Sequence, residues 1–274
     1  MGEGPPKDGQ NRLPAGIDTT VPQPARFWDY LLGGKDNYPI DREVGEQVLA
    51  IFPDLLDSAR ADRGFLVRVV RYLTRDAGIR QLLNIGTGLP TVNNTHQVAQ
   101  ASAPECRIVY VDNDPMVLVH ARALLTSTKE GSTDYLHADV RDPEKILHEA
   151  ARTLDFTQPV ALMLLGILNY IIDSTEADAI VKHFLDALPP GSYLAMSHPT
   201  AEIHADAIET SVEYYNASGA APIRTRNRQE LTQFFDGLEL LEPGVVSCSL
   251  WRPDRSDIGI STEVTQYCGL ARKN

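Results

Sequence analysis

Cysteine is scarce in this chain of 274 residues: Cys106, Cys248 and Cys268 stand far apart, and no two form a C-x-x-C pair. The thiolate set of a structural zinc site is therefore missing, and no metal is expected. An odd, sparse count also gives no disulfide framework and suits a reducing cytoplasm, which is the expected location. No apolar run approaches the length that crosses a bilayer, so no membrane partner is expected. The first residues carry Gly, Pro and Lys and lack the apolar centre of a signal peptide. Positive charge is short as well: 25 Lys and Arg face 37 Asp and Glu, for a net charge of −12. Nonspecific nucleic-acid binding draws on counterion release by clustered cations, so nucleic acid is not an expected partner. No internal repeat is present.

What the chain does have is apolar substance, 43% of its residues, enough for a large core. Residues 1–22, rich in Pro, Gly and polar groups, read as a disordered tail. Residues 23–78 read as a helical cap or lid segment. Its first helix, Ala25 to Leu32, stops at Gly33-Gly34, and the polar loop that follows suits either a connector or a lid. Asp41 reads as the cap of a second helix. From Asp54 to Ala77 apolar residues repeat at helical spacing, and the same stripe meets Asp62 and Arg63. That pair reads as a local ion pair, as the mark of a helix break near Gly64, or with Arg63 holding a ligand carboxylate in its planar fork.

Residues 79–274 alternate strands with helices. The organising stretch is Gln81-Leu82-Leu83-Asn84-Ile85-Gly86-Thr87-Gly88: an apolar strand meets two glycines, and a helix-compatible segment follows. Gly86 and Gly88 can take backbone angles closed to other residues and let a ligand touch the main chain. The next strand, Arg107 to Val111, ends in Asp112, placed to accept ribose hydroxyls, while Asp114-Pro115 reads as cap and first turn of a helix. A third strand, through His137 and Ala138, ends in Asp139; it reads as the cap of the next helix or as a partner of a purine amine. Pro159 to Gly166 is the most apolar strand and belongs at the sheet centre. Gly166, Asn169 and Tyr170 leave the sheet where a substrate would enter. A fifth strand, Tyr193 to Ser197, is followed directly by His198. Arg224, Arg226 and Arg228 alternate in what reads as a solvated loop rather than an anion patch.

Five strand–helix units, a Pro-Pro-Gly turn and a closing strand pair resemble a class I S-adenosylmethionine-dependent methyltransferase. Ala25-Arg26-Phe27-Trp28-Asp29-Tyr30-Leu31-Leu32-Gly33-Gly34-Lys35-Asp36-Asn37-Tyr38 resembles the amino-terminal signature of one bacterial family of such enzymes, which carries an added helical segment. Gln81 to Thr91, Tyr110 to Pro115 and His137 to Asp142 match its other blocks. The resemblance implies an α/β, Rossmann-like sheet of seven mostly parallel strands with the last antiparallel, helices on both faces, and S-adenosylmethionine as cofactor. It implies that Gly86, Thr87 and Gly88 face the methionine end, that Asp112 and Asn113 hold the ribose, that Ala138, Asp139 and Val140 meet the adenine, and that Gly166 lies by the sulfonium. The chain departs from the general acidic-x-Gly-x-Gly-x-Gly turn: Asn84 replaces the acid and Pro90 the third glycine. The amino-terminal segment is therefore expected to complete the methionine site, with Arg63 on the carboxylate and Tyr30 or Asp36 near the ammonium.

The implied reaction is in-line methyl transfer to a small-molecule acceptor. Trp28, Asn169 and Tyr170 are the expected acceptor contacts, and His198 the candidate base. Two other readings compete. One is a non-catalytic regulatory protein that binds the cofactor or S-adenosylhomocysteine. The other is a nicotinamide-dependent oxidoreductase, disfavoured because the third glycine of Gly-x-Gly-x-x-Gly is absent.

Overall fold

A computed structural model describes residues 17–124, 126–254, 256, 259 and 261–274. Residues 1–16 of the expected tail lie outside the described residues, as do Leu125 and the side chain of Leu124, both expected on a buried helix face.

Three helices open the chain: α1 (Pro24–Leu31), α2 (Pro39–Ile51) and α3 (Leu55–Arg75). Each of the first two begins on a proline, whose missing N–H is no loss in a first turn. Asp41 sits inside α2 rather than before it, and its carboxylate reaches back to the Tyr38 amide at 2.8 Å. The same carboxylate accepts from the Gln23 amide at 3.0 Å and pairs with Arg26 at 2.9 Å, both charged side chains fully buried. The remaining Arg26 nitrogens donate to the carbonyls of Asp18 and Val21. The stretch expected as tail is thus tied down from Asp18 onward. α3 runs unbroken through Gly64, so the break considered there does not occur.

The sheet follows, built from β1 (Gln81–Ile85), β2 (Arg107–Asp112), β3 (Ser132–His137), β4 (Ala161–Leu165), β5 (Tyr193–Pro199), β6 (Glu239–Leu240), β7 (Val246–Ser247) and β8 (Gln266–Arg272). Its order is β3-β2-β1-β4-β5-β8-β6, with β7 also on β8. The first five strands are mutually parallel, and β8 runs antiparallel to β5, β6 and β7. Two short late strands bring the described count to eight, one more than the seven expected.

Alternation along the central strands divides the core in two. Leu83, Ile85, Val109, Leu162 and Leu194 face α6 (Pro143–Ala150) and α7 (Ser174–Ala187). Leu82, Ile108, Met163, Ala195 and Leu270 face α3, α4 (Thr95–Ser102) and Trp251. Phe65, Val69, Val70 and Leu73 of α3 are completely buried there. α3 is therefore a layer of the sheet domain and not part of a detachable cap. α1 and α2 pack instead on α8 (Ala205–Ala217), where Phe27 meets Tyr215 edge-on at 5.0 Å.

Removing one partner of a buried ion pair leaves the other charge stranded at a cost of about 3–5 kcal/mol. Arg26→Ala and Asp41→Ala should each lower stability by that order in urea unfolding. A double variant less damaged than the sum of the two would confirm their coupling, and additive losses would deny it.

Candidate functional site

The carboxyl ends of β1, β2 and β4 open on a cleft roofed by α1 and α3. At its floor, Gly86 and Gly88 both hold positive φ, +74° and +62°. A Cβ on Gly86 would strike the Ile167 side chain at 2.7 Å, whereas one on Gly88 would meet nothing within 4 Å. The turn is therefore tight on its inner side and open on the cleft side. Its amides are largely spent: Gly86 N–H donates to Val111 O at 2.8 Å, and Gly88 N–H to Asp112 Oδ2 at 2.9 Å.

Asp112 closes β2, and its Oδ1 accepts from the Asp114 amide at 3.0 Å. Burial outweighs these hydrogen bonds and pushes its carboxyl up to about 6. Asp114 caps α5 (Pro115–Leu124) through the Met116 amide at 2.8 Å, as expected. Capping of α6 falls to Asp142, which accepts from the Lys145 amide, so Asp139 is not the cap. Asp139 lines the cleft with Ala138 and Val140, accepting from Asn113 Nδ2 at 3.1 Å and from the Arg141 amide at 2.9 Å.

On the opposite side Gly166 follows β4 with φ +61°, and the turn Leu168–Tyr170 carries Tyr170 into the wall. Asn169, expected on the acceptor, is buried at 3% exposure and does not line the cleft. The roof contributes Trp28, Asp29 and Leu32 from α1, and Asp62, Arg63 and Leu66 from α3. Arg63 donates to the carbonyls of Val92 and Asn93 at 3.1 and 3.2 Å. Tyr30 and Asp36 do not line the cleft. The Tyr30 ring presses on Gly45 of α2, and Asp36 lies 3.5 Å from His120 of α5. Neither is placed to meet an ammonium there.

His198 requires the largest correction. β5 does not stop at Ser197 but continues to Pro199, paired with β8 through His198↔Tyr267. The imidazole is fully buried and outside the cleft lining. Its Nε2 accepts from Arg226 at 2.8 Å and its Nδ1 donates to Pro199 O at 2.8 Å. Burial, with Arg226 and Arg224 nearby, drives its pKa down to about 3. A ring whose lone pair is held by a guanidinium cannot collect a substrate proton. Arg226, expected in a solvated loop, is itself buried and also donates to Leu168 O and Ile171 O, bracing the turn that bears Tyr170.

Sequence reading overlooked Asp29 and Arg141 in the lining and gave Asp62 no role. Asp62 had left a signal, a charge on an apolar stripe. Asp29 left none, because its partners are the Asp36 amide and Asn37 side chain of a loop formed only on folding.

A family model described as S-adenosyl methyltransferase matches residues 10–274. A DUF574 family protein from Streptomyces avermitilis is 46% identical, with 94% of this chain and 99% of that one covered at a TM-score of 0.90. A candidate methyltransferase from Thermobifida fusca is 40% identical, with 95% and 98% covered at a TM-score of 0.85. A carboxy-S-adenosyl-L-methionine synthase from Citrifermentans bemidjiense is 26% identical over 162 residues, 57% of this chain and 54% of that protein. The chain thus spans about half the length of that curated relative. The chain belongs to the S-adenosyl methyltransferase family, has the class I methyltransferase fold, and takes S-adenosylmethionine as its cofactor.

The site residues fit that cofactor: an open glycine turn, a buried carboxylate at the end of β2 and a second acid at the end of β3 share one cleft. His198→Ala should cost about 2 kcal/mol of stability through the hydrogen bonds it strips from Arg226. The pH profile of turnover between 6 and 8 should keep its shape, apart from the general loss. Loss of an acidic limb from that profile in the variant would restore His198 as a base.

Proposed function

We propose that this protein transfers a methyl group in line from S-adenosylmethionine to a small-molecule acceptor. The observation that carries the reading is the single cleft joining the Gly86–Gly88 turn, Asp112 and Asp139 to the aromatic roof of Trp28 and Tyr170. When bound, the cofactor supplies an electrophilic methyl group on a sulfonium, so the protein's task is to position the partners and exclude water.

In this reading Asp112 accepts the ribose hydroxyls beside Asn113. Asp139 and the Val140 amide face the adenine. Gly86, Thr87, Gly88 and Gly166 leave room for the methionine half, and Arg63 receives its carboxylate. Trp28 and Tyr170 orient the acceptor. Neutral surface dominates that end, with Leu32, Ile167, Ile172, Ala221 and Pro222 alongside the two aromatics. A hydroxyl or amine acceptor would be held there by packing and shed its proton to solvent or to a group of its own.

Calorimetric titration with S-adenosylhomocysteine beside NAD tests the reading. Micromolar binding of the first, about −8 kcal/mol, with no heat from the second supports it. Binding of NAD alone would overturn it in favour of a dehydrogenase. Tight S-adenosylhomocysteine binding with no turnover across an acceptor panel would favour the regulatory alternative.

Asp112 gives a sharper expectation. The ribose hydroxyls need its ionised form, and in the free protein that form is lost as pH falls through about 6. Affinity for S-adenosylhomocysteine should hold level above pH 6 and weaken below it. Asp112→Asn should weaken binding by about 1.5–3 kcal/mol at neutral pH and abolish the decline. A pH-independent wild-type affinity would count against the ribose assignment.

A further inference from the structure

The amino-acid end of the cofactor carries an α-ammonium and an α-carboxylate, and the floor of the cleft serves neither. Asn84 stands where an acid would precede the glycine turn; it is neutral, and its amide is turned to Thr95 Oγ1 at 2.9 Å. The amides of Gly86 and Gly88 are already donated within the protein. A zwitterion bound here needs one anion and one cation from elsewhere.

Two consecutive residues of α3 offer them. Asp62 and Arg63 both line the cleft. Neighbours on a helix point about 100° apart. Asp62 accordingly leans toward the sheet, where Gln266 Nε2 lies 3.4 Å and Cys248 Sγ 3.9 Å from its Oδ1. Gln266 is also the neighbour of Gly166, at 3.9 Å from the position of a Cβ on that glycine. Arg63 leans the other way, onto the Val92 and Asn93 carbonyls beyond the glycine turn. The two side chains attract each other through space, and burial outweighs that attraction for both. The hydrogen-bond partners of Asp62, namely Ser197, Gln266 and Cys248, are all neutral, and those of Arg63 are main-chain carbonyls at 3.1 Å or more. Both groups bear a burial cost: desolvation raises the Asp62 carboxyl and lowers the Arg63 guanidinium. A ligand with the opposite charge at each end would offset both.

The geometry points to Asp62 and Arg63 as a paired receptor for the amino-acid end of the cofactor, with Asp62 the ammonium ligand that Asn84 cannot be. This rests on the cofactor reading above and assigns a carboxylate outside the strand ends to the cofactor.

Three ligands separate the two charges: S-adenosylhomocysteine, its analogue lacking only the α-amino group, and 5′-methylthioadenosine, which lacks the whole amino acid. Asp62→Asn keeps the size and a hydrogen-bonding oxygen. It should weaken S-adenosylhomocysteine about tenfold or more and leave 5′-methylthioadenosine within about twofold. The deaminated analogue should bind that variant no worse than it binds wild type. Arg63→Gln should weaken the first two ligands and spare the third. An equal loss for all three on Asp62→Asn, or no loss for S-adenosylhomocysteine, overturns the assignment. The wild-type protein provides a check that needs no variant: if it binds the deaminated analogue as tightly as S-adenosylhomocysteine, no ammonium ligand exists. Wild-type protein that binds none of the three fails the cofactor reading instead.

Discussion

The strand order reverses between β1 and β4, and the site depends on that reversal. After β1 the chain turns into α4, on the sheet face shared with α3; after β4 it turns into α7, on the opposite face. Two parallel neighbours whose connections leave in opposite directions must part at their carboxyl ends, and a crevice opens there. Each strand makes its exit through a glycine at positive φ, Gly86 and Gly166. An L side chain at either position would carry backbone strain, and at Gly86 it would also meet Ile167. The cleft is a consequence of topology before any residue with chemistry is placed in it.

Two buried arginines then hold the walls. Arg26 ties α1 to α2 and to the segment before them, through Asp41 and the Asp18 and Val21 carbonyls. Arg226 ties the end of β5 to the turn after β4, through His198 and the Leu168 and Ile171 carbonyls. Burying a guanidinium is costly unless its donors are met. The terminal nitrogens of both are met mainly by main-chain carbonyls, while Arg26 Nε relies on its ion pair with Asp41 and Arg226 Nε has no hydrogen-bond partner among the described residues. Such contacts specify one arrangement of the backbone more than they add net stability, since desolvation cancels much of the attraction. α3 has a tie of the same kind, Arg68 donating to the carbonyls of Trp251 and Cys248 at 2.9 and 2.5 Å, and it also packs directly on the sheet. Four of its completely buried apolar residues, Phe65, Val69, Val70 and Leu73, sit on the sheet, at about 1.5–3 kcal/mol each for large side chains. Asp62 and Arg63 are consequently carried on a rigid layer, not on a lid.

Local patterns in the sequence reached the strands, the glycine turn, Asp112 at the end of β2 and Asp114 as the cap of α5. All of these are set within a few residues of one another. What escaped is set by partners far along the chain. β5 seemed to end at Ser197 because a proline follows at 199; pairing with β8 carries the strand through it and buries His198. The arginines at 224, 226 and 228 alternate like a solvated loop, and only folding brings Leu168 and Ile171 to the middle one. Tyr30 and Asp36 are expected near the ammonium only because they lie in the amino-terminal segment. Helical periodicity instead turns Tyr30 onto Gly45, and the loop carries Asp36 to α5. Asp62 announced itself as a charge on an apolar face, but its setting beside Gln266 and Cys248 spans about 200 residues of chain.

Charge placement bears on the acceptor more directly than net charge does. The cations that line the cleft among the described residues are Arg63 and Arg141. Arg141 is committed to Asp139, Glu176 and Tyr170 O, and Arg63 donates to the Val92 and Asn93 carbonyls. No described lysine lines the opening. A polyanion entering past Trp28 and Ile172 would therefore give up its counterions for apolar surface and the carboxylate of Asp29. A neutral molecule with an aromatic or aliphatic body loses nothing electrostatic on entry and gains contact with Trp28, Leu32 and Pro222. If the protein acts as proposed, desolvation favours a compact, uncharged acceptor at this mouth.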